Sequence, residues 1–375
     1  MSVRRVFVLN TGSSTVKYRL VDAASGEVAA SGVVERIGEP GSDTPDHAAA
    51  LQRILQDVQA DAIDAVGHRI VHGGERFTAA AIVDDAVEAQ IAELIPLAPL
   101  HNPAGLEGIR AARRALPGIP NVAVFDTAFH HTLPPAARSY ALDRSVAERY
   151  AIRRYGFHGT SYRIVSERAA ELLARPLEQL RMVVLHLGNG ASAAAIDGGR
   201  SVDTSMGLTP LEGLVMGTRS GDVDPAVPIF LQRTAGLGLD EVDQLLNRRS
   251  GLLGLAGISD LRELVAAVDR GEEAAQLAFE VYVHRIRHYV GAYAAVLGGI
   301  DALVFTAGVG ENSARVRAAV ADGLGFIGIH VDPGRNASGS SSSRVISPDG
   351  GPVRVLVVPT DEEWQIARET AAALE

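Results

Sequence analysis

The chain has 375 residues, 47% of them hydrophobic and 21% charged, which is ordinary for a protein with packed cores. At this length two domains of ordinary size are expected. The absence of cysteine excludes disulfides, zinc–thiolate sites and thiol catalysis, and the net charge of −10 argues against non-specific binding of nucleic acid.

The sequence shows no sign of a membrane or secretion segment. No apolar stretch approaches the ~20 residues that span a bilayer. The N-terminus passes from Met1-Ser2-Val3-Arg4-Arg5 into an apolar run that is too short for a signal sequence. We therefore expect a cytoplasmic protein whose partners include neither membrane nor nucleic acid.

The first third of the chain alternates predicted strands and helices. Apolar runs predict strands at residues 6–9, 18–22, 65–71 and 122–125. Apolar residues at helical spacing predict helices at 47–59 and 103–116, the second opened by a proline. Asp126 directly follows the last of these strands, where open α/β sheets bind ligands.

Glycine-containing loops recur after predicted strands. Lys17, the only lysine of the chain, ends the segment 10–17, where an ammonium would suit a phosphate oxygen. Similar strand–loop units are predicted at 182–196 and 302–312. Each loop alone is also typical of a plain hairpin, and none completes a Walker A or G-x-G-x-x-G motif. Their repetition favours a nucleotide held between two similar halves.

The remaining elements complete the second half. A long helix is predicted at 272–297, where exposed or packing roles are favoured over metal binding for His284 and His288. Residues 336–343 predict a surface loop, and 353–358 a strand. The last helix is predicted from about Asp361, with Thr360 and Glu363 at capping-box spacing.

Four further polar residues, together with Asp126, are candidates for catalytic or binding roles. Arg69 and Arg219 carry planar forks that suit a carboxylate or phosphoryl group, although each is equally compatible with a structural ion pair. His158 precedes a helix and either contacts a transferring phosphoryl group or is a structural hydrogen bonder. Glu362 suits the helix dipole, with metal binding as the alternative. Asp126 suits three roles: orienting an arginine, binding water on a metal, or acting as a base. Serine-hydrolase and H-E-x-x-H motifs are absent.

Segments along nearly the whole chain resemble one family, the acetate kinases (acetokinases) of the acetate-and-sugar-kinase, heat-shock ATPase and actin superfamily. The resemblance rests on segments in family order: NTGSSTVK (10–17), GHRIVHGG (67–74), LAPLHNP (97–103), VFDTAFH (124–130), YGFHGTS (155–161), HLGNG (186–190), TPLEG (209–213), MGTR (216–219) and TAGVGEN (306–312).

The resemblance implies an α/β fold of two similar domains, each with a βββαβαβα core of the actin-like ATPase, ribonuclease H-like type, and a nucleotide in the interdomain cleft. The implied domains are 1–127 plus 362–375, and 128–361. The implied reaction is reversible, in-line transfer of the ATP γ-phosphoryl group to acetate with Mg²⁺ or Mn²⁺, giving acetyl phosphate and ADP, in a homodimer. The alternatives are propionate or butyrate kinase and, more remotely, a non-catalytic actin-like nucleotide switch.

The same resemblance implies roles for individual residues. The catalytic residues would be Arg69, Asp126, His158 and Arg219. Acetate would be bound by Arg69, Val71, Leu100 and Pro210. Metal would be held by Asn10 and Glu362. ATP would be bound by Lys17, His186, Leu187, Gly188, Asn189, Gly190, Asp260, Leu261, Arg262, Gly308, Val309, Gly310, Glu311 and Asn312. Tyr162 and Asp361 depart from the family pattern, where histidine and asparagine are usual, and we expect them to tune affinity.

Overall fold

The structure is a computed structural model that describes residues 3–58 and 62–375, so Gln59, the predicted end of the first helix, lies outside it. The chain divides into two compact units. Unit 1 comprises Met1–His131, Phe157–Ile164 and Asp361–Glu375, and unit 2 comprises Thr132–Gly156 and Val165–Thr360. The segment Phe157–Ile164, which carries His158, belongs to unit 1.

Each unit contains a six-stranded mixed sheet. The strands of unit 1 are β1 (Arg5–Thr11), β2 (Thr15–Asp22), β3 (Val28–Glu35), β4 (Ala65–Ile70), β5 (Ala81–Ile82) and β6 (Asn121–Phe125), in the order β3-β2-β1-β4-β6-β5. Those of unit 2 are β7 (Arg181–Leu187), β8 (Ala191–Asp197), β9 (Arg200–Thr204), β10 (Ala302–Thr306), β11 (Arg344–Val345) and β12 (Arg354–Val357), in the order β11-β12-β10-β7-β8-β9.

The two sheets have the same design. In unit 1, β1, β2 and β3 form an antiparallel meander, and β4 and β6 continue the sheet in parallel. In unit 2, β7, β8 and β9 form the matching meander, with β10 and β12 as the parallel strands. The predicted duplicated α/β core is therefore confirmed.

The helices flank these sheets. In chain order they are α1 (His47–Asp57), α2 (Asp85–Glu93), α3 (Asn102–Ala115), α4 (Pro135–Arg138), α5 (Arg144–Arg149), α6 (Gly159–Leu173), α7 (Ala226–Ala235), α8 (Leu239–Arg248), α9 (Gly251–Ala256), α10 (Leu261–Asp269), α11 (Glu273–Val296), α12 (Ala307–Asn312), α13 (Ala314–Ala321), α14 (Pro333–Ala337) and α15 (Glu362–Leu374). Short 3-10 turns occupy Ile95–Leu97, Ala128–Thr132, Leu177–Gln179 and Gly325–Ile327. No helix in the described ranges is both long and apolar enough to cross a membrane.

The core of unit 1 lies on both faces of β1, because successive strand residues point to opposite faces. Phe7 packs in the cluster that includes residues of α1 and α3, whereas Val8 packs against the last helix, α15. Gly67 on β4 permits this close packing, since a Cβ there would lie 2.5 Å from Thr370 Oγ1. Burial on both faces explains why β1 reads as a continuous apolar run.

Three predictions about local structure are wrong. Lys17 lies within β2 rather than in a loop, because Gly12 N–H already closes the hairpin on the Thr15 carbonyl at 2.7 Å. Residues 307–312 form α12 rather than a third glycine loop, because Ala307 turns β10 directly into a helix with φ of 63°. Asp361, not Thr360, caps α15 by accepting the Trp364 N–H.

The surface-loop prediction is only partly correct. Asn336 and Ala337 end α14, and the Asn336 side chain is buried. The irregular, exposed part of the segment is confined to residues 338–343.

Candidate active site

In unit 1, Arg69 and Asp126 form a bidentate ion pair at one edge of the sheet. Arg69 Nε donates to Asp126 Oδ1 at 3.0 Å and Nη2 donates to Oδ2 at 2.7 Å. The parallel pairing of β4 with β6 brings Arg69 and the residue after β6 to the same edge. Burial lowers the pKa of Arg69, but the charges of Asp126 and Glu362 and the hydrogen bond to Asp126 outweigh it and raise that pKa. Arg69 is therefore a fixed cation.

Glu362 is the first residue of α15, and its buried Oε1 has no hydrogen-bond partner. An orphaned carboxylate oxygen is costly unless a ligand satisfies it, so Glu362 fits a divalent metal. In the described parts of the chain no three His, Asp or Glu side chains cluster as a metal cage.

Asn10, the other predicted metal ligand, and Asp361, the residue before Glu362, also belong to unit 1. Asn10 is partly exposed on β1, directly opposite Lys17 on β2, and the Lys17 side chain is exposed. Asp361 pairs with Arg19, whose Nη1 lies 3.2 Å from Asp361 Oδ1 and 3.6 Å from Glu363 Oε2. Asp361 therefore caps α15 as half of an ion pair.

His158 occupies a left-handed backbone conformation, with φ of 60°. Such a conformation in a non-glycine residue is costly and is often found at functional sites. The next residue, Gly159, donates its N–H to the Asp126 carbonyl at 2.9 Å. A Cβ at Gly159 would lie 2.2 Å from that oxygen, so only glycine allows the contact. The backbone thus ties His158 to the Asp126 segment.

Asn102, on which no role was predicted, supports the strand end that carries Val71. The buried Asn102 side chain accepts the His72 N–H at 3.2 Å and donates to the His72 carbonyl at 3.0 Å. Val71 is partly exposed, and Leu100 is 47% exposed. In the sequence, the signal for this supporting role is the polar side chain of Asn102 at the start of an amphipathic helix, within the segment 97–103.

In unit 2, Arg219 is partly buried without a carboxylate partner in the described residues. Its Nη1 donates to the Pro210 carbonyl at 3.1 Å and approaches Met216 Sδ at 3.6 Å. Burial lowers the pKa of Arg219, with no acidic group to oppose it. The sequence did not distinguish Arg69 from Arg219, since either could bind a ligand or form a structural ion pair. The structure pairs Arg69 with Asp126 and leaves Arg219 available to an anion.

The loop that carries Pro210 is held by a second arginine. Arg154 Nη2 binds Glu212 Oε1 at 2.6 Å, and Glu212 also accepts a hydrogen bond from the Tyr140 hydroxyl. Neither Arg154 nor Glu212 was predicted as a site residue. Their pairing fixes the segment against which Arg219 rests.

Unit 2 also contains a cavity of about 580 Å³. It brings together residues of three predicted ATP-binding segments that are far apart in the chain. The lining residues are Gly188, Asn189, Gly217, Leu252, Ser259, Asp260, Leu261, Arg262, Val265, Tyr282, Gly308, Val309, Asn312 and Ser313. A volume of this size suits a nucleotide-sized ligand.

Several predicted ATP-binding residues do not line this cavity. His186 and Leu187 are buried within β7, and Gly190 and Gly310 are absent from its described lining. Glu311 is also absent, and its Oε1 accepts the Thr360 N–H at 3.1 Å. Lys17 belongs to unit 1.

Tyr282 is a lining residue that the sequence reasoning missed. It is 2% exposed, and its hydroxyl has no hydrogen-bond partner. Burial raises its pKa, so the hydroxyl stays protonated. A tyrosine in the middle of a long amphipathic helix gives no local signal that it faces a cavity.

Asp260 and Arg262 form the polar rim of the cavity. Asp260 caps α10 and accepts from Arg262 Nη2 at 2.6 Å. That side-chain bond, followed by the Arg262 backbone N–H, lowers the pKa of Asp260 to about 2. The Arg262 side chain is otherwise exposed.

Comparison with known proteins decides the family. Residues 5–368 match the family model described as the acetokinase family. The chain belongs to the acetokinase family. It is therefore a kinase that uses a carboxyl group as phosphoryl acceptor and ATP or ADP as its nucleotide substrate.

Individual acetokinases are similar over nearly their full length. The chain is 57% identical to an acetate kinase of Leifsonia xyli subsp. xyli, covering 98% of each protein, and 54% identical to one of Streptomyces coelicolor, covering 99% and 97%. The solved acetate kinase of Porphyromonas gingivalis has a TM-score of 0.94 at 46% identity, covering 99% and 100%. A solved propionate kinase of Francisella tularensis subsp. tularensis has a TM-score of 0.92 at 38% identity, covering 99% of each.

Proposed function

We propose that this acetokinase transfers the γ-phosphoryl group of ATP reversibly to acetate, giving acetyl phosphate and ADP. The carrying observation is Arg219, a partly buried guanidinium without a carboxylate partner in the described residues. A buried cation that lacks a counter-charge suits an anionic ligand. The reaction supplies two such anions, the acetate carboxylate and the transferring phosphoryl group.

Arg69 and Asp126 contribute position and charge rather than a proton. Acetate is already ionised at neutral pH, so its attack on phosphorus needs no general base. The carboxylate oxygen forms the new P–O bond as the bond to the ADP β-phosphate oxygen breaks. Asp126 occupies Nε and Nη2 of Arg69 and leaves Nη1 for acetate or an equatorial phosphoryl oxygen.

His158 and Arg219 stabilise the same transition state. His158 is held next to Asp126 by the Gly159 hydrogen bond, so its ring is a donor near the charge that develops on the phosphoryl oxygens. Arg219 neutralises that charge from unit 2. We assign contact with the acetate methyl group to Val71, Leu100 and Pro210.

The nucleotide occupies the cavity of unit 2, with glycines 188 and 308 allowing close approach of the backbone. Lys17 contacts phosphate. Transfer further requires that the γ-phosphoryl group of the bound nucleotide reach the acetate carboxylate.

Asn10 and Glu362 would hold Mg²⁺, and the unsatisfied Oε1 of Glu362 supports this assignment. When bound, the ion neutralises phosphate charge. Arg19 offsets part of the charge of Asp361, because the same Nη1 also faces Glu363.

Trapping of acyl phosphate with hydroxylamine tests the reaction. The purified protein with ATP, Mg²⁺ and acetate is expected to form acetohydroxamate and ADP in equal amounts. Binding of ADP without hydroxamate would instead identify a nucleotide switch of the actin type.

A preference for a longer acid is the second candidate, favoured by the similarity to a propionate kinase. One methylene changes discrimination by only about 1–3 kcal/mol. We expect kcat/KM to be highest for acetate among acetate, propionate and butyrate. A clear preference for propionate or butyrate would replace the assignment.

We also propose a cytoplasmic homodimer. Apolar side chains on α7 and the start of α8 are exposed, with Phe230 at 61% and Leu239 at 75%, and exposed apolar patches favour association. Light scattering should give twice the chain mass of 39.4 kDa. Phe230→Asp should reduce the mass, whereas Phe326→Asp, at an exposed site on another segment, should not.

A further inference from the structure

Arg317 on α13 is the most deeply buried arginine of unit 2. It is 1% exposed, and no carboxylate pairs with it among the residues that the structure describes. Burial, followed by the charge of Arg344, lowers the pKa of Arg317 to about 10, so it stays protonated at neutral pH. It has no part in the transfer step proposed for Arg69, His158 and Arg219.

Within the described residues, the hydrogen-bond partners of its guanidinium are uncharged oxygens. Nη1 donates to the carbonyls of Gly310 and Glu311, each at 2.9 Å. Nε donates to Asn336 Oδ1 at 2.7 Å, and Nη2 donates to the Asn336 carbonyl at 2.8 Å. One guanidinium therefore joins the end of α12 to α14.

The carbonyls bound by Arg317 are among those that a helix leaves without partners at its C-terminal end. A six-residue helix such as α12 is too short to be stable alone and depends on outside contacts. A planar fork reaches two successive carbonyls and two atoms of Asn336 together, which a lysine ammonium does less well.

The opposite part of α12 lines the nucleotide cavity. Gly308, Val309 and Asn312 are lining residues, and Asn312 Nδ2 also donates to the Gly308 carbonyl at 2.8 Å. Glu311 supplies a second anchor through the Thr360 N–H. Any displacement of the α12 carbonyls therefore moves the cavity wall.

We propose that Arg317 is a positioning residue for the nucleotide, which sets α12 so that Gly308 and Val309 lie against the bound ligand. The inference rests on the proposed nucleotide site. A buried cation without an ion pair is rarely the most stable filling for a core, and an apolar side chain of the same size often costs less. The geometry that Arg317 imposes on α12 explains why an arginine occupies this buried position.

Arg317→Lys and Arg317→Met test the proposal, with ADP affinity measured by calorimetry and KM measured for each substrate. Misplacement of a binding wall should raise the Kd for ADP and the KM for ATP by about tenfold or more, while the KM for acetate changes less than about twofold. Asn336→Ala, which keeps the guanidinium but removes its Nε partner, should give a smaller rise in the same direction.

Arg335→Met is the matched control, because Arg335 on α14 bonds to the Ser347 carbonyl and Asp349 but not to α12. It should leave the Kd for ADP unchanged. Folded Arg317 variants with wild-type ADP affinity, or equal losses for ATP and acetate, would overturn the proposal. If both Arg317 variants fail to fold, Asn336→Ala alone decides between these outcomes. The ADP affinity tests the role of Arg317 without reference to acetate. A protein that binds ADP but does not phosphorylate acetate would therefore contradict the proposed reaction and not the role of Arg317.

Discussion

Asp126 holds Arg69 through two parallel hydrogen bonds, from Nε at 3.0 Å and from Nη2 at 2.7 Å. Asp126 is 1% exposed, whereas the Arg69 side chain is 18% exposed. The carboxylate thus sits behind the guanidinium and fixes its plane, while the remaining N–H groups stay available. This geometry assigns orientation of Arg69, rather than proton transfer, to Asp126.

Asp126→Asn should lower kcat by about 100-fold, because a neutral amide no longer holds the fork in the plane needed at the transition state. ADP affinity should stay unchanged, since the nucleotide cavity lies in unit 2. Asp349→Asn is the matched control, because Asp349 also binds an arginine in bidentate fashion but at an exposed site. A variant with kcat within about threefold of wild type would remove Asp126 from the mechanism.

Arg219→Met should lower kcat by at least about 100-fold through loss of a transition-state charge. Its melting temperature should stay equal or rise, because the change removes a partly buried cation that has no counter-charge. Arg154→Met should instead lower the melting temperature, since it leaves Glu212 without its ion-pair partner. Near-normal turnover of Arg219→Met would exclude the proposed role.

Tyr282→Phe should increase stability and weaken nucleotide binding at once. Loss of an unsatisfied buried hydroxyl should raise the free energy of unfolding by about 1 kcal/mol, and loss of a hydrogen bond to nucleotide should raise the Kd for ADP about fivefold. Tyr289→Phe is the control, because its hydroxyl donates to Asp222 at 2.8 Å and its removal should destabilise the protein. Unchanged ADP affinity in Tyr282→Phe would show that the hydroxyl does not meet the ligand.

Glu362→Gln should raise the Mg²⁺ concentration needed for half-maximal activity by about tenfold or more, as expected for loss of a carboxylate ligand. In EDTA its melting temperature should change little, because relief of an unsatisfied buried charge offsets the lost attraction to Arg69. Glu363→Gln, at the neighbouring residue that faces Arg19 at 3.6 Å, should leave the Mg²⁺ dependence unchanged. The reverse pattern would place the metal elsewhere.

Because His68 is buried, the free energy of unfolding should decrease in mild acid. Burial lowers its pKa from 6.5 to about 4, although a hydrogen bond to Asn121 opposes the shift. The unfolded chain therefore takes up a proton first as the pH falls, and the free energy of unfolding decreases between about pH 6.5 and 4 by at most about 1.4 kcal/mol per pH unit. Urea unfolding of His68→Asn should show a smaller slope in this window. An equal slope would show that His68 does not titrate there.

Local patterns were sufficient where one physical cause dominates. The run from Val6 to Leu9 predicts a buried strand because both faces of β1 are covered. The helix beginning at His47 follows from its apolar spacing, and residues Leu51 and Ile54 are buried as that spacing requires. Local patterns failed at 307–312, where glycines suggested a loop and the positive φ of Ala307 instead starts α12.

The sequence by itself determined the family, the reaction class and the duplicated α/β core, because motif order and strand hydrophobicity are properties of the chain. Only the tertiary structure decided which arginine is paired, since the register of β4 with β6 brings Asp126 to Arg69 while no acidic residue is folded against Arg219 in the described chain. It alone placed Tyr282 at the cavity of unit 2 and Arg317 beside the end of α12. These contacts join residues that are distant in sequence, and no local pattern encodes such distances.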